Sequence, residues 1–137
     1  MSNPVLTVGI ALALMMALSS CTPSGPKPIA LGASCAGCGM SIGDLRFACE
    51  RQSDTWSQYD SIECLLDDPQ RGVVWLADYD SQTLAPSESC WVVLGDFPSP
   101  MGGGLASFRS RVAAERVAAE THGRVARWPE LKRKASP

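Results

Sequence analysis

The stretch VLTVGIALALMMAL, residues 5–18, carries no charge, and it decides how much of the chain is available to fold. It is shorter than the roughly 20 apolar residues that a membrane-spanning helix needs. It fits the apolar core of a secretory signal peptide, which takes no part in the folded domain. Residues 21–137 remain. They suffice for one small domain, whose hydrophobic core is adequate but not generous.

The run ends in Leu18-Ser19-Ser20-Cys21, followed by Thr22-Pro23-Ser24-Gly25-Pro26. The tetrapeptide resembles a bacterial lipobox, in which the cysteine becomes the lipidated first residue of the mature protein. Small residues before that cysteine and a Pro/Gly/Ser tether after it are what lipid anchoring requires. No Lys or Arg precedes the apolar run, which departs from the usual signal peptide. Thr22 rather than Asp follows Cys21. By resemblance to Gram-negative lipoproteins, that points to the periplasmic leaflet of the outer membrane. The expected organisation is a signal peptide at 1–20, a lipidated tether at 21–33, a single domain at 34–134 and a tail at 135–137. The net charge of −2 suggests neither nucleic acid nor an anionic membrane surface as a partner. Acids at Asp54, Asp60, Glu63, Asp67 and Asp68 read as a solvated face, and the late bases Arg124, Arg127, Lys132, Arg133 and Lys134 as a basic tail.

Within the domain, Leu45, Phe47 and Cys49 alternate with Arg46, Ala48 and Glu50, which predicts a half-buried strand over 45–51. Gln52-Ser53-Asp54 is a turn, and 55–60 a second strand. Asp60-Ser61 caps a short helix over 62–66, ended by Asp67-Asp68-Pro69. Residues 72–79 and 89–96, rich in Val and Trp, predict two more strands. Pro98 to Gly104 is a loop. A helix is predicted over 105–121, with Leu105, Phe108, Val112 and Ala119 on its apolar face and Arg116 snorkelling at the edge. His122-Gly123 ends it, 124–128 is a final strand, and Pro129 starts a last helical turn. The fold class is therefore α+β and mostly antiparallel. It consists of two β-β-α units, with a short helix in the first and a longer one in the second.

Each unit offers a glycine-softened loop that bears sulfur: Cys35-Ala36-Gly37-Cys38-Gly39-Met40 in one, Met101-Gly102-Gly103 in the other. A c-type haem site needs His directly after the second cysteine, and Gly39 stands there. A thioredoxin-like pair should follow a strand and open a long helix, whereas a tether precedes this one. A zinc site wants four Cys/His ligands in two close pairs, and the second pair is missing, because Cys49, Cys64 and Cys90 stand apart in sequence. A Cys35–Cys38 disulfide suits an oxidising compartment. Copper(I) prefers thiolate and thioether donors. From Cys21 onward the only methionines are Met40 and Met101, both beside glycine in loops, where a packing methionine gains little. Gly39 lets the backbone turn so that Cys38 and Met40 can close on one ion, with Met101 arriving from the second unit. Two other readings stay open at this level: a thiol–disulfide redox lipoprotein using Cys35 and Cys38, and a metal-free structural lipoprotein. No histidine lies near Cys38 to serve as acid or base, so an enzyme is not expected.

Three blocks occur in order: Cys35-x-x-Cys38-Gly39-Met40, Tyr59-Asp60-Ser61-Ile62-Glu63-Cys64-Leu65-Leu66, and Pro100-Met101-Gly102-Gly103-Gly104-Leu105-x-x-Phe108. With them the chain resembles the NosL family, the lipoprotein accessory factors of nitrous oxide reductase maturation. The resemblance implies a Cu(I) chaperone that is lipid-anchored at Cys21 and faces the periplasm. It implies an ABC-type membrane complex and the reductase as partners, and a pair of β-β-α units related to the core of organomercurial lyase. Carried over by position, the ligands are Cys38, Met40 and Met101, with Cys35 a further candidate. Some members are thought to add a histidine; here only His122 is available, at a helix end. Cys49 and Cys90 on predicted strands, and Cys64 on the short helix, read as core residues, with a disulfide open for the first two.

Overall fold

The carboxylate of Asp44 sets the start of the fold. It accepts from the Arg46 backbone N–H at 3.0 Å and from the Arg46 guanidinium at 2.7 Å, while Phe47 N donates to Asp44 O. This self-closed turn takes residues 45–47 out of the strand that their alternation predicted. The structure, a computed structural model, describes residues 25–135. The apolar run at 5–18, Cys21 and the last two residues of the tail lie outside them.

Strand β1 (Cys49–Gln52) pairs antiparallel with β2 (Trp56–Tyr59), Cys49 opposite Tyr59 and Gln52 opposite Trp56. Helix α1 (Ile62–Asp67) follows at once. Ser61 is extended, and its hydroxyl accepts from Cys64 N at 3.2 Å, the N-cap expected from the sequence. β3 (Val73–Ala77) returns to the far side of β1, and β4 (Leu84–Pro86) adds to β3. The order of this sheet is β2-β1-β3-β4. After a 3₁₀ turn at Ser87–Ser89, the pattern repeats with β5 (Trp91–Leu94), β6 (Leu105–Phe108), α2 (Arg111–Glu120) and β7 (Arg124–Arg127), in the order β6-β5-β7. In both halves the first strand is central, with its hairpin partner on one side and the strand after the helix on the other. The expected α+β architecture is present, and each β-β-α unit is closed by one further strand. Helix α3 (Trp128–Ala135) ends the described chain, with Trp128 and Leu131 buried.

A second expectation is overturned. The helix predicted over 105–121 is a strand followed by a helix. Leu105, Ala106, Ser107 and Phe108 are all buried, and a short run buried on both faces carries no period that separates strand from helix. The helix starts after Ser110, whose hydroxyl accepts from Ala113 N at 3.2 Å. Its buried face is Ala114 and Ala118, so Val112 is 75% exposed and Ala119 is exposed too. Arg116 does not snorkel against an apolar face; it is exposed and pairs with Glu120 at 3.3 Å.

The two sheets meet where Asp78 bridges to Ser107. Tyr79 N donates to Ser107 O at 2.8 Å, and Arg109 N donates to the Asp78 carboxylate at 2.8 Å. One core joins Cys49, Tyr59, Leu76, Val92 and Trp128; a second joins Phe47, Val93, Phe108, Ala114 and Ala118. Near the N-terminus, Lys27 N donates to Glu50 at 2.8 Å and the Lys27 ammonium lies over Trp56 at 5.3 Å, so this stretch is laid against β1 and β2. Among the described residues no helix is long and apolar enough to cross a membrane.

Candidate metal centre

The loop that carries the first cysteines is folded on itself. Cys35 N donates to Met40 O at 2.8 Å, Gly39 N donates to Cys35 O at 2.9 Å, and Gly39 sits at φ 77°. A bond from Ala36 N to Gln58 O, 2.7 Å, pins the loop to β2. The loop then passes over α1 so closely that a Cβ on Gly37 would come within 3.0 Å of Cys64 O. A side chain there would force the loop and helix apart by a few tenths of an ångström.

This crossing brings Cys35 and Cys38 to the start of α1. Cys35 Sγ donates to Asp60 Oδ1 at 3.4 Å, and Cys38 Sγ to Asp60 Oδ2 at 3.6 Å. Cys64, one turn into the helix, completes the group: one donor atom each from Cys35, Cys38, Asp60 and Cys64 lie within 4.8 Å of one another. Cys35, Asp60 and Cys64 are buried, whereas Cys38 is exposed. All five described cysteines are free thiols.

The second half contributes from above. Cys38, Cys64 and Met101 line one open cleft of about 360 Å³, whose rim carries Asp67 and Asp68. Met101 is held there through its loop. Ser99 Oγ donates to Glu63 at 2.9 Å and accepts from Gly104 N at 2.9 Å, and Leu105 N also donates to Glu63. Met101 is 43% exposed and Met40 49%; Met40 is on the Cys38 loop but not among the residues that line the cleft. His122 is exposed at the end of α2, 3.9 Å from Asp96, and stands outside the cysteine group.

The surroundings favour protons on the Cys38 and Cys64 thiols. Burial pushes the Cys64 thiol well up, and its contact with Asp60 adds to the effect. For Cys38 the Met40 backbone contact acts downward, but desolvation and the neighbouring Cys35 outweigh it. Asp68, hydrogen-bonded by Arg51, is held down at about 2 and lines the cleft as the acidic half of that ion pair. A metal bound by these thiols must displace their protons, and sulfur donors favour soft cations.

Of the sequence candidates Cys38, Met40, Met101 and Cys35, the structure brings Cys38 and Met101 to the cleft and Cys35 to the Asp60–Cys64 group, while Met40 lines neither. The sequence reading took Asp60 for a cap residue and Cys64 for core. Cys64 is indeed buried, and its sulfur stands in the group with Cys35, Cys38 and Asp60. The available signal was the cap itself: Ser61 fixes Cys64 as the third helical residue, one turn from the residues just before the helix. Cys49 and Cys90 are buried thiols as expected, donating to Ser61 O at 3.2 Å and Pro86 O at 3.4 Å.

Residues 26–136 match the NosL family. The chain belongs to that family. Among solved structures this NosL protein is similar to one described as the copper chaperone NosL from Shewanella denitrificans, with a TM-score of 0.69 and 22% sequence identity, over 79% of this chain and 96% of that one. At that identity the likeness establishes the NosL fold. No curated protein matches the chain.

Proposed function

We propose that this NosL protein is a Cu(I) chaperone, lipid-anchored through Cys21 at the outer membrane and facing the periplasm. It supplies copper for the copper–sulfide centre of nitrous oxide reductase, delivering it through an ABC-type membrane complex. It acts as a carrier, not an enzyme. The ligands are Cys38, Met40 and Met101, with Cys35 a further candidate.

The observation that carries this reading is that Cys38 and Met101, from opposite halves of the fold, line one open cleft. A thiolate and thioethers are the donors that a monovalent soft ion prefers. All three proposed sulfurs belong to exposed residues. A ligand from an acceptor protein can therefore enter as one thioether leaves, which a chaperone needs and a closed cage would prevent. Family membership supports the same role, and the structurally similar Shewanella protein is itself described as a copper chaperone.

The test is Cu(I) affinity by competition with a chromophoric chelator, on reduced protein under anaerobic conditions. The double variant Met40→Leu/Met101→Leu should bind far more weakly than the native chain, and unchanged affinity overturns the ligand set. Mass spectrometry of the protein extracted from membranes should find acyl chains on Cys21; an unmodified cysteine refutes the anchor.

A further inference from the structure

The copper reading leaves Asp60 and Cys64 without a task, yet both are buried with their donor atoms turned toward Cys35 and Cys38. We propose that Cys35, Cys38, Cys64 and Asp60 form a second, four-donor site that takes a divalent d¹⁰ cation, zinc(II), and that shares Cys38 with the copper site.

The geometry is close to what such an ion requires. Bonds of about 2.3 Å to sulfur and 2.0–2.2 Å to carboxylate oxygen give a tetrahedron with edges of roughly 3.5–3.8 Å. Cys35 Sγ lies 3.4 Å from Asp60 Oδ1 and Cys38 Sγ 3.6 Å from Oδ2, and with one oxygen taken from Asp60 no donor atom of the four lies more than 4.8 Å from another. Closing on the ion calls for shifts of about an ångström or less.

The donor chemistry points the same way. Three thiolates and a carboxylate bring four negative charges, which a divalent ion offsets better than a monovalent one. A carboxylate oxygen is a hard donor that copper(I) has little use for and zinc accepts readily. The donors are also pre-positioned. Cys35 is fixed by its backbone bond to Met40 O, the next residue by its bond to Gln58 O, and Cys64 by the Ser61 cap. In sequence the zinc reading is poorly supported because no second ligand pair stands close along the chain. The fold supplies that pair from the start of α1, as Asp60 and Cys64. Met40 and Met101 take no part, so the site does not depend on the copper reading. Zinc and copper would compete for Cys38.

The test uses the full mature chain, reduced and free of oxygen. Zinc affinity is measured by chelator competition, and cadmium serves as a spectroscopic probe whose thiolate charge-transfer intensity counts the sulfur ligands. The expected result is one equivalent of metal held by three thiolates. Cys64→Ser and Asp60→Asn should each lower zinc affinity by more than about a hundredfold, beyond what loss of an outer-shell partner costs. Met40→Leu/Met101→Leu should leave zinc affinity unchanged while weakening copper(I). A cadmium spectrum with fewer than three thiolates, which needs no variant, overturns the site; so does a native zinc affinity no greater than that of Cys64→Ser. Neither outcome touches the chaperone reading. Conversely, a double methionine variant that keeps its copper affinity defeats that reading and leaves the zinc site standing.

Discussion

Ser99 donates its hydroxyl proton to Glu63 at 2.9 Å, and this bond ties the Met101 loop of the second half to helix α1 of the first. The same carboxylate oxygen accepts from Leu105 N, so Glu63 orders both the loop and the strand it leads into. Glu63→Ala removes the shared acceptor. It should cost about 1–3 kcal/mol in urea unfolding, the penalty for stranding donors that had a charged partner. Copper(I) affinity should fall with it, because Met101 loses its tether. Unchanged copper affinity would show that the loop finds its place without Glu63.

A gentler change tests the same link. A Cβ on Gly103 would lie 2.6 Å from Glu63 Oε1 and 2.7 Å from its Cγ, so Gly103→Ala must push the glutamate side chain aside. Gly43→Ala meets nothing within 4 Å and serves as the control. The first should weaken copper(I) binding with only a small change in melting temperature, and the second should change neither.

Asp68 makes a pH-dependent contribution to stability. Its hydrogen bond from Arg51, at 2.9 Å, is the main cause that lowers its pKa from 3.8 to about 2. A carboxyl depressed on folding stabilises the native state above its unfolded pKa, and that stabilisation is lost as pH falls from about 4 through 2. The interval corresponds to about 2 kcal/mol. Asp68→Ala should abolish this part of the acid dependence. At neutral pH it should cost about 3–5 kcal/mol, because Arg51, 2% exposed, would keep its charge without its carboxylate. Urea titrations at pH 7 and pH 3 read both effects.

The reassignment of 105–108 from helix to strand can be checked directly. Amides of Leu105–Phe108 should exchange hydrogen as slowly as those of their ladder partners Trp91–Leu94. Phe108→Ala, at a position with no exposure, should cost about 3–5 kcal/mol. Fast exchange over 105–108 would contradict the pairing.

Much of this was legible from residue order, and what was not has local physical causes. Ser61 as a cap, β3 and β5 as Val-rich strands, and the first β-β-α unit could be read because propensity and tertiary structure agree there, whereas the second unit takes β6 as its second strand and leaves β3 to the first sheet. The strand over 45–51 was overextended because the Asp44 side chain captures the Arg46 amide, which no alternation pattern reports. Leu105 and Phe108 matched a helical face by coincidence: β6 is buried on both sides and so has no polar face to reveal its period. In the site, Cys38 and Met101 stood out because each sits in a glycine-rich loop. Cys64 and Asp60 did not, because a thiol near buried leucines and an acid before a helix both have ordinary explanations. Their convergence on Cys35 depends on Gly37 crossing α1, a contact between segments far apart in sequence.

The β5–β6 hairpin closes beneath the Met101 loop, with Leu94 opposite Leu105 and Gly95 N donating to Gly104 O at 2.9 Å. Gly104, at φ 67°, has no room for a side chain against the Gly95 carbonyl, so the clasp is fixed by its backbone. Beyond that clasp Ser99 is tied to Glu63 and Asp96 N donates to Thr121 O, so it is the tip at 100–102 that can lengthen, at an entropic cost that grows only with the logarithm of the added residues. The hairpin therefore behaves as a short adjustable tip on a rigid shoulder: a residue added at 100–102, between the Ser99 and Gly103 contacts with Glu63, would retune how far its sulfur extends while the ladder beneath keeps its register.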